Sequence, residues 1–340
     1  MGLQIGEIIT KKEIQFSDLK DKIIIVDAFN AIYQFLTTIR QPDGTPLKDS
    51  RGNITSHLSG LFYRNLKLIT EGVKLVYVFD GEAPELKGAT REKRLEAKRL
   101  AREKYEKAVA EEDVESMGKY AKSEVHLDEQ KIRESKELLI AMGVAVIQAP
   151  SEGEAEASYL VKKNKGYAVA SQDYDCLMFK APLLIQNLSM SRKRKTISGY
   201  KEIFPQMIEL NEVLKELEIN QEQLICLGIL TGTDYNPGGV KGIGPKKALQ
   251  LVREFKTKEK IFDAIGKDKY KKFEMNFYWQ EIYQEIDNPK VKDVIIEFPK
   301  VDKEKIKNIL INYEFSEERI NSQLEKLDEL KKAKQQKTLF

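Results

Sequence analysis

The feature that most constrains the fold is the stretch of residues 148–177, where acidic residues twice follow a short apolar run. The two acidic pairs are Glu152 with Glu154 and Asp173 with Asp175. The runs before them, residues 143–148 (GVAVIQ) and 167–171 (YAVAS), are typical of buried parallel strands, and EAEASYLVKKN between them has helical spacing. The stretch therefore predicts a βαβ unit. Because ligands of open α/β sheets bind at the carboxyl ends of the strands, both pairs are expected at one binding edge.

Two further predicted strands also end at an acid. Residues 22–26 read as a buried strand that stops at Asp27, and residues 73–79 (VKLVYVF) as another that stops at Asp80. Each acid has a simpler interpretation, because Asp27 could be a helix N-cap and Asp80-Gly81 could be a turn. These local explanations have to be weighed against a shared role for all four strand ends.

A capping box is the corresponding local explanation for the first acidic pair, since Ser151 and Glu154 have the required spacing. It leaves Glu152 unexplained, and no cap accounts for all four strand ends together. Carboxylates gathered at one sheet edge repel one another unless a cation lies among them, and Mg²⁺ prefers oxygen ligands. The sequence therefore predicts a shared metal site. Asp234, after a break at Gly232-Thr233, is a seventh acidic candidate.

Residues 82–130 are predicted to be an insertion that is long enough to form a lid or arch. Its segment 87–108 contains nine Lys and Arg against four Asp and Glu, with few large apolar residues. A solvated helix with i,i+4 charge pairs is the simpler interpretation. The alternative is a basic wall that follows a phosphate backbone. Because the segment leaves the strand end that carries Asp80, the second interpretation is favoured.

Residues 238–252 (GGVKGIGPKKALQLV) predict a helix N-terminus that binds phosphate, because free backbone N–H groups lie beside two lysines. Pro245 suits the first helical turn. The candidate phosphate contacts are Gly242, Gly244, Lys246 and Lys247. A tight helix–hairpin–helix without a ligand is the alternative. Elsewhere, the basic SRKRK (191–195) is interpreted as a hairpin tip, and the chain from Ile208 to about Leu230 as helical.

Composition narrows the class of protein further. The 340 residues suffice for one large domain or two, and a net charge of only +3 can hide opposing acidic and basic faces. There is no secretory signal and no apolar run near membrane-spanning length, so a soluble, intracellular protein with reduced Cys176 and Cys226 and no membrane partner is expected. His57 and His126 lie in no nucleophile or zinc motif, and His57 is expected to pack against a helix.

Taken together, several segments resemble the flap endonuclease family, the structure-specific 5′ nucleases. These segments are VDAFNAIYQFL, TSHLSGLFYR, YVFDG, APSEGEAEASYL, SQDYDCL, LTGTDYNPG and GGVKGIGPKKA. The resemblance extends from near the start to about residue 255, and the NPGG form is similar to archaeal members. It implies a doubly wound, mostly parallel α/β sheet with helices on both faces, a helical arch and a helix–two-turn–helix that holds duplex DNA. It also implies two-metal hydrolysis of DNA at 5′ flap junctions in replication and repair, using Mg²⁺ for which Mn²⁺ could substitute. The resemblance allows 5′-3′ exonuclease activity as well.

The same resemblance implies a division of the chain. A nuclease core spans 1–255, with the arch at about 82–130 and the helix–two-turn–helix at about 220–255. A C-terminal helical part follows over 256–334, and 335–340 is a tail. Branched DNA with a 5′ flap is the implied partner of a chain that is otherwise monomeric, in the cytoplasm or nucleoid if it is archaeal.

Residue by residue, the resemblance assigns roles to matching positions. The implied metal ligands are Asp27, Asp80, Glu152, Glu154, Asp173, Asp175 and Asp234. Lys87 and Arg94 match the basic pair at the base of the arch that polarises the scissile phosphate. Tyr33 matches an aromatic residue that stacks on the terminal base, and Arg64 a contact to the template strand. The backbone carbonyls implied for a K⁺ ion next to DNA are those of Gly239, Val240 and Ile243.

Two positions depart from the family pattern. Gly6 stands one position later than the glycine that members often have. Gln336, Leu339 and Phe340 match only the first half of the motif that docks members on the sliding clamp (PCNA). Two alternatives remain beside the flap endonuclease: a sibling 5′ nuclease of different junction specificity, and a clamp-associated DNA-binding scaffold without catalysis.

Overall fold

A seven-stranded sheet organises the protein in a computed structural model that describes residues 3, 5–41, 44–88, 99–100, 103, 127–188, 193–196 and 199–337. The strands of this sheet are β1 (Lys12–Glu13), β2 (Ile23–Asp27), β3 (Lys74–Phe79), β4 (Ala145–Gln148), β5 (Ala168–Ala170), β6 (Leu183–Gln186) and β9 (Gln206–Glu209). Their spatial order is β1-β9-β6-β5-β2-β3-β4. The five strands from β6 to β4 are parallel, and β9 is antiparallel to both β6 and β1. A separate hairpin pairs β7 (Lys193–Thr196) with β8 (Gly199–Glu202).

The strand order creates a topological switch point between β2 and β5. From β2 the chain builds outward through β3 to β4, then returns to the other side of β2 and continues through β5 to β6. The connections that leave β2 and β5 therefore diverge and open a crevice at the carboxyl ends of these strands, which is where α/β sheets bind ligands. The predicted doubly wound, mostly parallel sheet is confirmed.

Helices cover both faces of the sheet. On one side they are α1 (Ala28–Thr38), α2 (Ser56–Ser59), α3 (Asn65–Thr70), α4 (Glu129–Ala141), α12 (Lys303–Asn312) and α13 (Glu317–Lys337). On the other they are α5 (Gly153–Lys162), α6 (Asp175–Met178), α7 (Leu210–Glu216), α8 (Gln221–Thr231), α9 (Pro245–Phe255), α10 (Lys258–Asp263) and α11 (Trp279–Asp287). A π-helical turn (Gly60–Arg64) joins α2 to α3, and 3₁₀ turns lie at Phe16–Leu19, Glu85–Lys87 and Asp268–Tyr270.

The strands bury apolar side chains on both faces, as expected of a parallel sheet between two helical layers. In β2, Ile24 and Val26 point into the core under α1, whereas Ile25 points into the core under α5. All three are at most 3% exposed. This alternation follows from the two-residue period of a strand, and it explains why the strands appear in the sequence as continuous apolar runs.

A glycine permits the close packing between α1 and the π-helical turn. A Cβ atom built on Gly60 would lie 2.2 Å from Phe35 Cγ, closer than any real contact. The neighbouring Arg64 side chain lies over the same ring, 5.5 Å from its centroid. The glycine therefore fixes how closely the helix that carries Arg64 approaches α1.

Two segments of the sheet region differ from the sequence-based prediction. Ile208 and Glu209, predicted to start a helix, instead end the antiparallel strand β9, because residues 206–209 pair along β6 from Leu183 to Gln186. The basic residues 193–195 lie on strand β7 instead of at a hairpin tip. Thr196 of β7 pairs with Gly199 of β8, and Gly199 has a φ of 131°, which a residue with a side chain rarely adopts.

The C-terminal part packs through Trp279 and departs from expectation at its end. Trp279 lies in the core and stacks on Phe262 at 4.5 Å, whereas the neighbouring Tyr278 is 76% exposed. The last helix, α13, continues to Lys337, so the first three residues of the predicted tail (335–340) are helical. Within the described parts of the chain, every helix is too short or too polar to cross a membrane.

Candidate active site and nucleic-acid interface

Asp27 lies at the switch point, as the last residue of β2 and the N-cap of α1. Its Oδ1 accepts a hydrogen bond from the backbone N–H of Asn30 at 3.1 Å, so the capping interpretation is confirmed. The residue is only 5% exposed and lies close enough to Asp80 and Asp173 for both to raise its pKa. Asp27 is therefore a cap and a member of an acidic cluster at once.

Asp80, at the end of the neighbouring strand β3, is held by the first turn of α5. Its Oδ1 accepts the backbone N–H of Gly153 at 2.7 Å. A Cβ atom on Gly153 would lie 2.6 Å from that oxygen, so a glycine is needed between the two acids Glu152 and Glu154. The strand end and the helix N-terminus are thereby locked together.

The predicted capping box at the start of α5 does not form. Glu152, not Ser151, is the N-cap residue, and the Ser151 hydroxyl instead donates to the carbonyl of Glu82 at 3.1 Å. Glu154 turns inward, where its Oε1 accepts a hydrogen bond from the Ser171 hydroxyl at 2.9 Å. The chain thus directs Glu154 toward the acidic cluster instead of toward the helix end.

The second acidic pair is held by contacts from distant parts of the chain. Asp173 accepts a hydrogen bond from the Asn30 side chain at 3.0 Å. Asp175, the first residue of α6 and 8% exposed, accepts the backbone N–H of Leu3 at 2.5 Å. Asn30 also accepts the backbone N–H of Gln172 at 3.0 Å, so it orients the whole loop.

Burial and mutual repulsion raise the pKa values of these carboxyl groups. Burial, then Asp80, raises the pKa of Asp27 to about 8, and burial raises that of Asp175 to about 6, with Asp173 and Asp234 contributing. Burial is also the main cause of the raised pKa values of Asp80, Glu152 and Glu154. Because neighbouring acids act on one another throughout, the carboxylates form one cluster with uncompensated negative charge.

Lys87 is the cation that lies within this cluster. Its ammonium group pairs with Glu152 and lies 3.8 Å from Asp234 Oδ2. It also lies 5.0 Å from the centre of the Tyr235 ring, and the Tyr235 hydroxyl donates to the other oxygen of Glu152. Lys87 lowers the pKa of Asp80 and of Asp175 against the effect of burial.

The chemistry of the donor set fits a hard divalent cation. The ligands available are carboxylate oxygens only, which is the preference of Mg²⁺ and Mn²⁺. In the described part of the chain, no three His, Cys, Asp or Glu side chains already stand as a closed metal-binding group, and Lys87 pairs with two of the acids. Among the described residues, the Lys87 ammonium alone pairs with these acids and cannot balance them all, so the site favours additional positive charge.

The loop between α8 and α9 forms a second candidate surface. Its buried apolar residues Val240 and Ile243 anchor it, and the backbone N–H of Val240 donates to the carbonyl of Leu230 at 2.9 Å. Gly239 has a φ of 54°, and a Cβ there would lie 2.4 Å from that carbonyl. The carbonyl of Val240 accepts the N–H of Ile243 at 3.0 Å, and the K⁺ site assigned to this loop stays a prediction.

The N-terminus of α9 has the predicted composition. Gly244 is its N-cap and Pro245 its first residue, and a side chain on Gly244 would meet nothing within 4 Å. Lys246 is exposed. The Lys247 ammonium donates to the carbonyl of Gly242 at 3.0 Å and lies 4.8 Å from the centre of the Phe273 ring, and its DNA contact stays a prediction. Lys247 therefore supports the loop.

The remaining predicted residues are spread over the molecule. Tyr33 lies on α1 at the margin of the core, and burial lowers the pKa of Arg64. His57 is fully buried and its Nε2 lies 2.8 Å from Glu134 Oε2, in keeping with a packing role. Gln336 lies within α13. Arg94, Leu339 and Phe340 lie outside the described residues, as does most of the predicted arch.

Sequence reasoning missed Asn30, Gly153 and Tyr235. Each is uncharged and touches an acid that is distant in the chain, so no strand-end pattern marks it. Gly153 alone carried a local signal, since a glycine in the first turn of a helix between two acids is unfavourable without a packing reason.

Comparison with known proteins first defines the class. The XPG N-terminal domain matches residues 3–101, and the XPG I-region matches residues 143–234. These two regions contain every strand from β2 to β6 and all seven acids of the candidate site. The chain thus has the two conserved regions of an XPG-type protein.

Full-length relatives then identify the family. Flap endonuclease 1 of Thermococcus onnurineus is 49% identical over 343 residues, covering 100% of this chain and 98% of the relative, and that of Pyrococcus furiosus is equally similar. The solved structure of flap endonuclease-1 from Methanococcus jannaschii is 41% identical with a TM-score of 0.75, covering 98% and 100% of the two chains. This chain belongs to the flap endonuclease 1 family. The catalytic core of Rad2 bound to DNA substrate, 24% identical with a TM-score of 0.68 over 92% of this chain and 95% of that one, shares the fold.

Proposed function

We propose that this chain hydrolyses a phosphodiester bond of DNA at or next to the junction of a 5′ flap, using divalent metal ions. The observation that carries the proposal is the convergence of acids from three parallel strand ends, two helix N-termini and one loop on the switch point, with Lys87 among them. Relatives named flap endonuclease 1 over their full length support the substrate class.

In this proposal the seven carboxylates hold the metal ions, which supply Lewis-acid chemistry to the scissile phosphate and to water. The chain itself contributes position and charge. The capping bond from Asn30 and the amide of Gly153 fix Asp27 and Asp80 before substrate arrives. Lys87, freed from its pairing with Glu152, offsets negative charge that builds up on the phosphate. Arg94 is proposed to act with it.

The loop before α9 is proposed to hold the duplex through its phosphates. Gly242 and Gly244 leave backbone N–H groups accessible at the start of α9, and Lys246 adds an exposed charge. Contacts of this kind read the shape of DNA and not its sequence. Tyr33 and Arg64, in the helical layer on the other face of the sheet, are proposed to meet the terminal base and the template strand.

Several finer roles belong to the same proposal. K⁺ bound at Gly239, Val240 and Ile243 would add charge next to the duplex. Gln336, Leu339 and Phe340 would dock the protein on the sliding clamp PCNA during replication and repair. The proposed place of action is inside the cell, where flap DNA arises.

The direct test compares end-labelled DNA substrates. With Mg²⁺ we expect one product from a double flap, cut near the junction, and no product in EDTA. Stepwise release from a nicked duplex, or cutting of a bubble, would assign the chain to a sibling nuclease. Tight binding of all three substrates without any cleavage would favour the non-catalytic scaffold.

Charge reversal at Lys246 tests the duplex surface. We expect Lys246→Glu to weaken duplex binding and to lower the salt slope of the binding constant by about one, because one phosphate contact is lost. Fluorescence anisotropy at several salt concentrations measures both quantities. Lys74→Glu is the matched control, because it makes the same charge change at an exposed lysine. Lys74 is the first residue of β3 and so lies at the end of the strand opposite to Asp80. Equal affinities for the two variants would return the loop to a purely structural role.

A further inference from the structure

The segment 3–11, which precedes the sheet, lies against the loop that carries the second acidic pair. The backbone N–H of Leu3 donates to Asp175 Oδ1 at 2.5 Å, across 172 positions of sequence. Leu3 is 2% exposed and belongs to the core around α5. A buried backbone amide is a donor with one orientation, so this contact selects one rotation of the carboxylate.

A second contact lies one residue away, at Tyr174. A Cβ atom built on Gly6 would lie 2.6 Å from the Tyr174 hydroxyl oxygen and 3.2 Å from the ring carbon that bears it. The Lys11 ammonium lies 5.2 Å from the centre of the same ring and donates to Gln186 Oε1 at 3.2 Å. Tyr174, between Asp173 and Asp175, is thus held between Gly6 and Lys11.

The segment itself is anchored at both ends. Ile5 and Ile9 are buried in the core, at 0% and 9% exposure. The backbone N–H and the hydroxyl of Thr10 both donate to the carboxylate of Glu216, at 2.9 and 2.8 Å. An element fixed in this way can impose a position on the loop that it touches.

We propose that segment 3–11 is a positioning clamp that orients the Asp175 carboxylate toward the metal ions. The clamp acts through the hydrogen bond from the Leu3 amide and through the close approach of Tyr174 to Gly6. The inference rests on the proposed metal-binding role of Asp175. Partners that orient metal ligands are typically worth about 10- to 100-fold in metal affinity. A segment that only filled the core would contribute to stability and leave metal affinity unchanged.

The first experiment removes the amide. Leu3→Pro lacks the N–H, whereas Leu3→Ala keeps it and loses a similar amount of packing. Mn²⁺ alone is titrated calorimetrically into each metal-free protein without DNA. We expect Leu3→Pro to weaken Mn²⁺ binding about 10-fold or more, and Leu3→Ala to change it by less than about 3-fold. Equal weakening by the two variants would overturn the proposal.

The second experiment uses the space at Gly6 and does not depend on a proline. We expect Gly6→Ala to displace Tyr174 and to weaken Mn²⁺ binding about 10-fold. Tyr174→Phe removes the atom nearest to the new methyl group, so the double variant Gly6→Ala/Tyr174→Phe is expected to recover affinity close to that of Tyr174→Phe alone. A double variant as weak as Gly6→Ala, or a Gly6→Ala variant with unchanged affinity, would contradict the clamp.

Both readouts are independent of flap cleavage. Should the wild-type protein bind Mn²⁺ and respond to these variants but cut no flap, the clamp would stand and the proposed substrate would fall. Should the wild type cut flaps while Leu3→Pro and Gly6→Ala bind Mn²⁺ as tightly as it does, the proposed substrate would stand and the clamp would fall. Thermal unfolding in EDTA confirms that each variant is folded before titration.

Discussion

Asp175→Ala is expected to abolish cleavage of a double-flap substrate and to leave DNA binding largely intact. The carboxylate is buried, oriented by the Leu3 amide and surrounded by other acids, so its removal takes one charge from the proposed metal shell. Loss of several kcal/mol of transition-state stabilisation corresponds to a rate reduction of about 10³-fold or more. Single-turnover cleavage with Mg²⁺ measures the rate, and anisotropy in EDTA measures binding.

Asp293→Ala is the matched control for this experiment. Asp293 is an exposed aspartate that pairs with Lys165, far along the chain from every candidate metal ligand. The Asp293→Ala substitution removes one carboxylate, as Asp175→Ala does, but leaves the acidic cluster unchanged. Cleavage at the wild-type rate is therefore expected. Retained cleavage in Asp175→Ala would remove this residue from the metal shell, and loss of binding in that variant would instead point to misfolding.

The second large effect concerns stability and pH. Asp27 has a pKa of about 8 in the folded protein against an ordinary value of 3.8, so between these values the folded state binds a proton that the unfolded state has lost. Stability contributed by the protonated group is complete at low pH and is lost as the pH rises toward about 8. Asp175, with a pKa of about 6, adds to the loss in the lower part of this window.

In EDTA, the melting temperature of the wild type is therefore expected to fall between about pH 5 and pH 8. Asp27→Asn keeps a side chain that can cap α1 but carries no charge, so it should melt about 5 °C or more above the wild type at the upper end. Mg²⁺ binds the ionised acids and should stabilise the wild type more as the pH rises. The same addition should stabilise Asp27→Asn much less.

Thermal unfolding across this pH range, with and without Mg²⁺, distinguishes the causes. Asp27→Ala serves as a control, because it removes the charge and the cap together and should gain less than Asp27→Asn. A melting temperature that does not change with pH in EDTA would show that the cluster carries no electrostatic strain. An Asp27→Asn variant less stable than the wild type at high pH would lead to the same conclusion.

Both predictions describe one compromise. Placing several acids in a buried crevice costs the metal-free fold stability, and the same acids create a site that fits hard cations. Lys87 reduces this cost in part by pairing with Glu152. The proposed catalytic role of Lys87 therefore requires that it exchange one negative partner for another, from carboxylate to phosphate.

The sequence by itself determined the architecture and the location of the site. Apolar runs that each end in an acid predicted parallel strands and a shared edge, and Asp27 and Asp80 lie there. Gly244 and Pro245 predicted the start of α9. These features could be predicted because a strand end, a cap or a helix start is encoded by residues a few positions apart.

Only the tertiary structure decided which local options were used. Ser151 and Glu154 had the spacing of a capping box, yet Glu154 turned toward Ser171, a residue that arrives on another strand. Lys247, chosen from the sequence as a phosphate contact, also donates to the carbonyl of Gly242. In each case the local pattern did not reveal the partner, which packing brings from elsewhere in the chain.

The contacts that orient the carboxylates were beyond the reach of sequence patterns. Leu3 reaches Asp175 across 172 positions, and Tyr235 reaches Glu152 across 83. A backbone amide carries no side-chain signal, and the tyrosine hydroxyl finds its acceptor only after α5 and α8 have packed on the sheet. Local chemistry thus determines which residues form the site, whereas the packing of distant segments determines how their side chains are oriented.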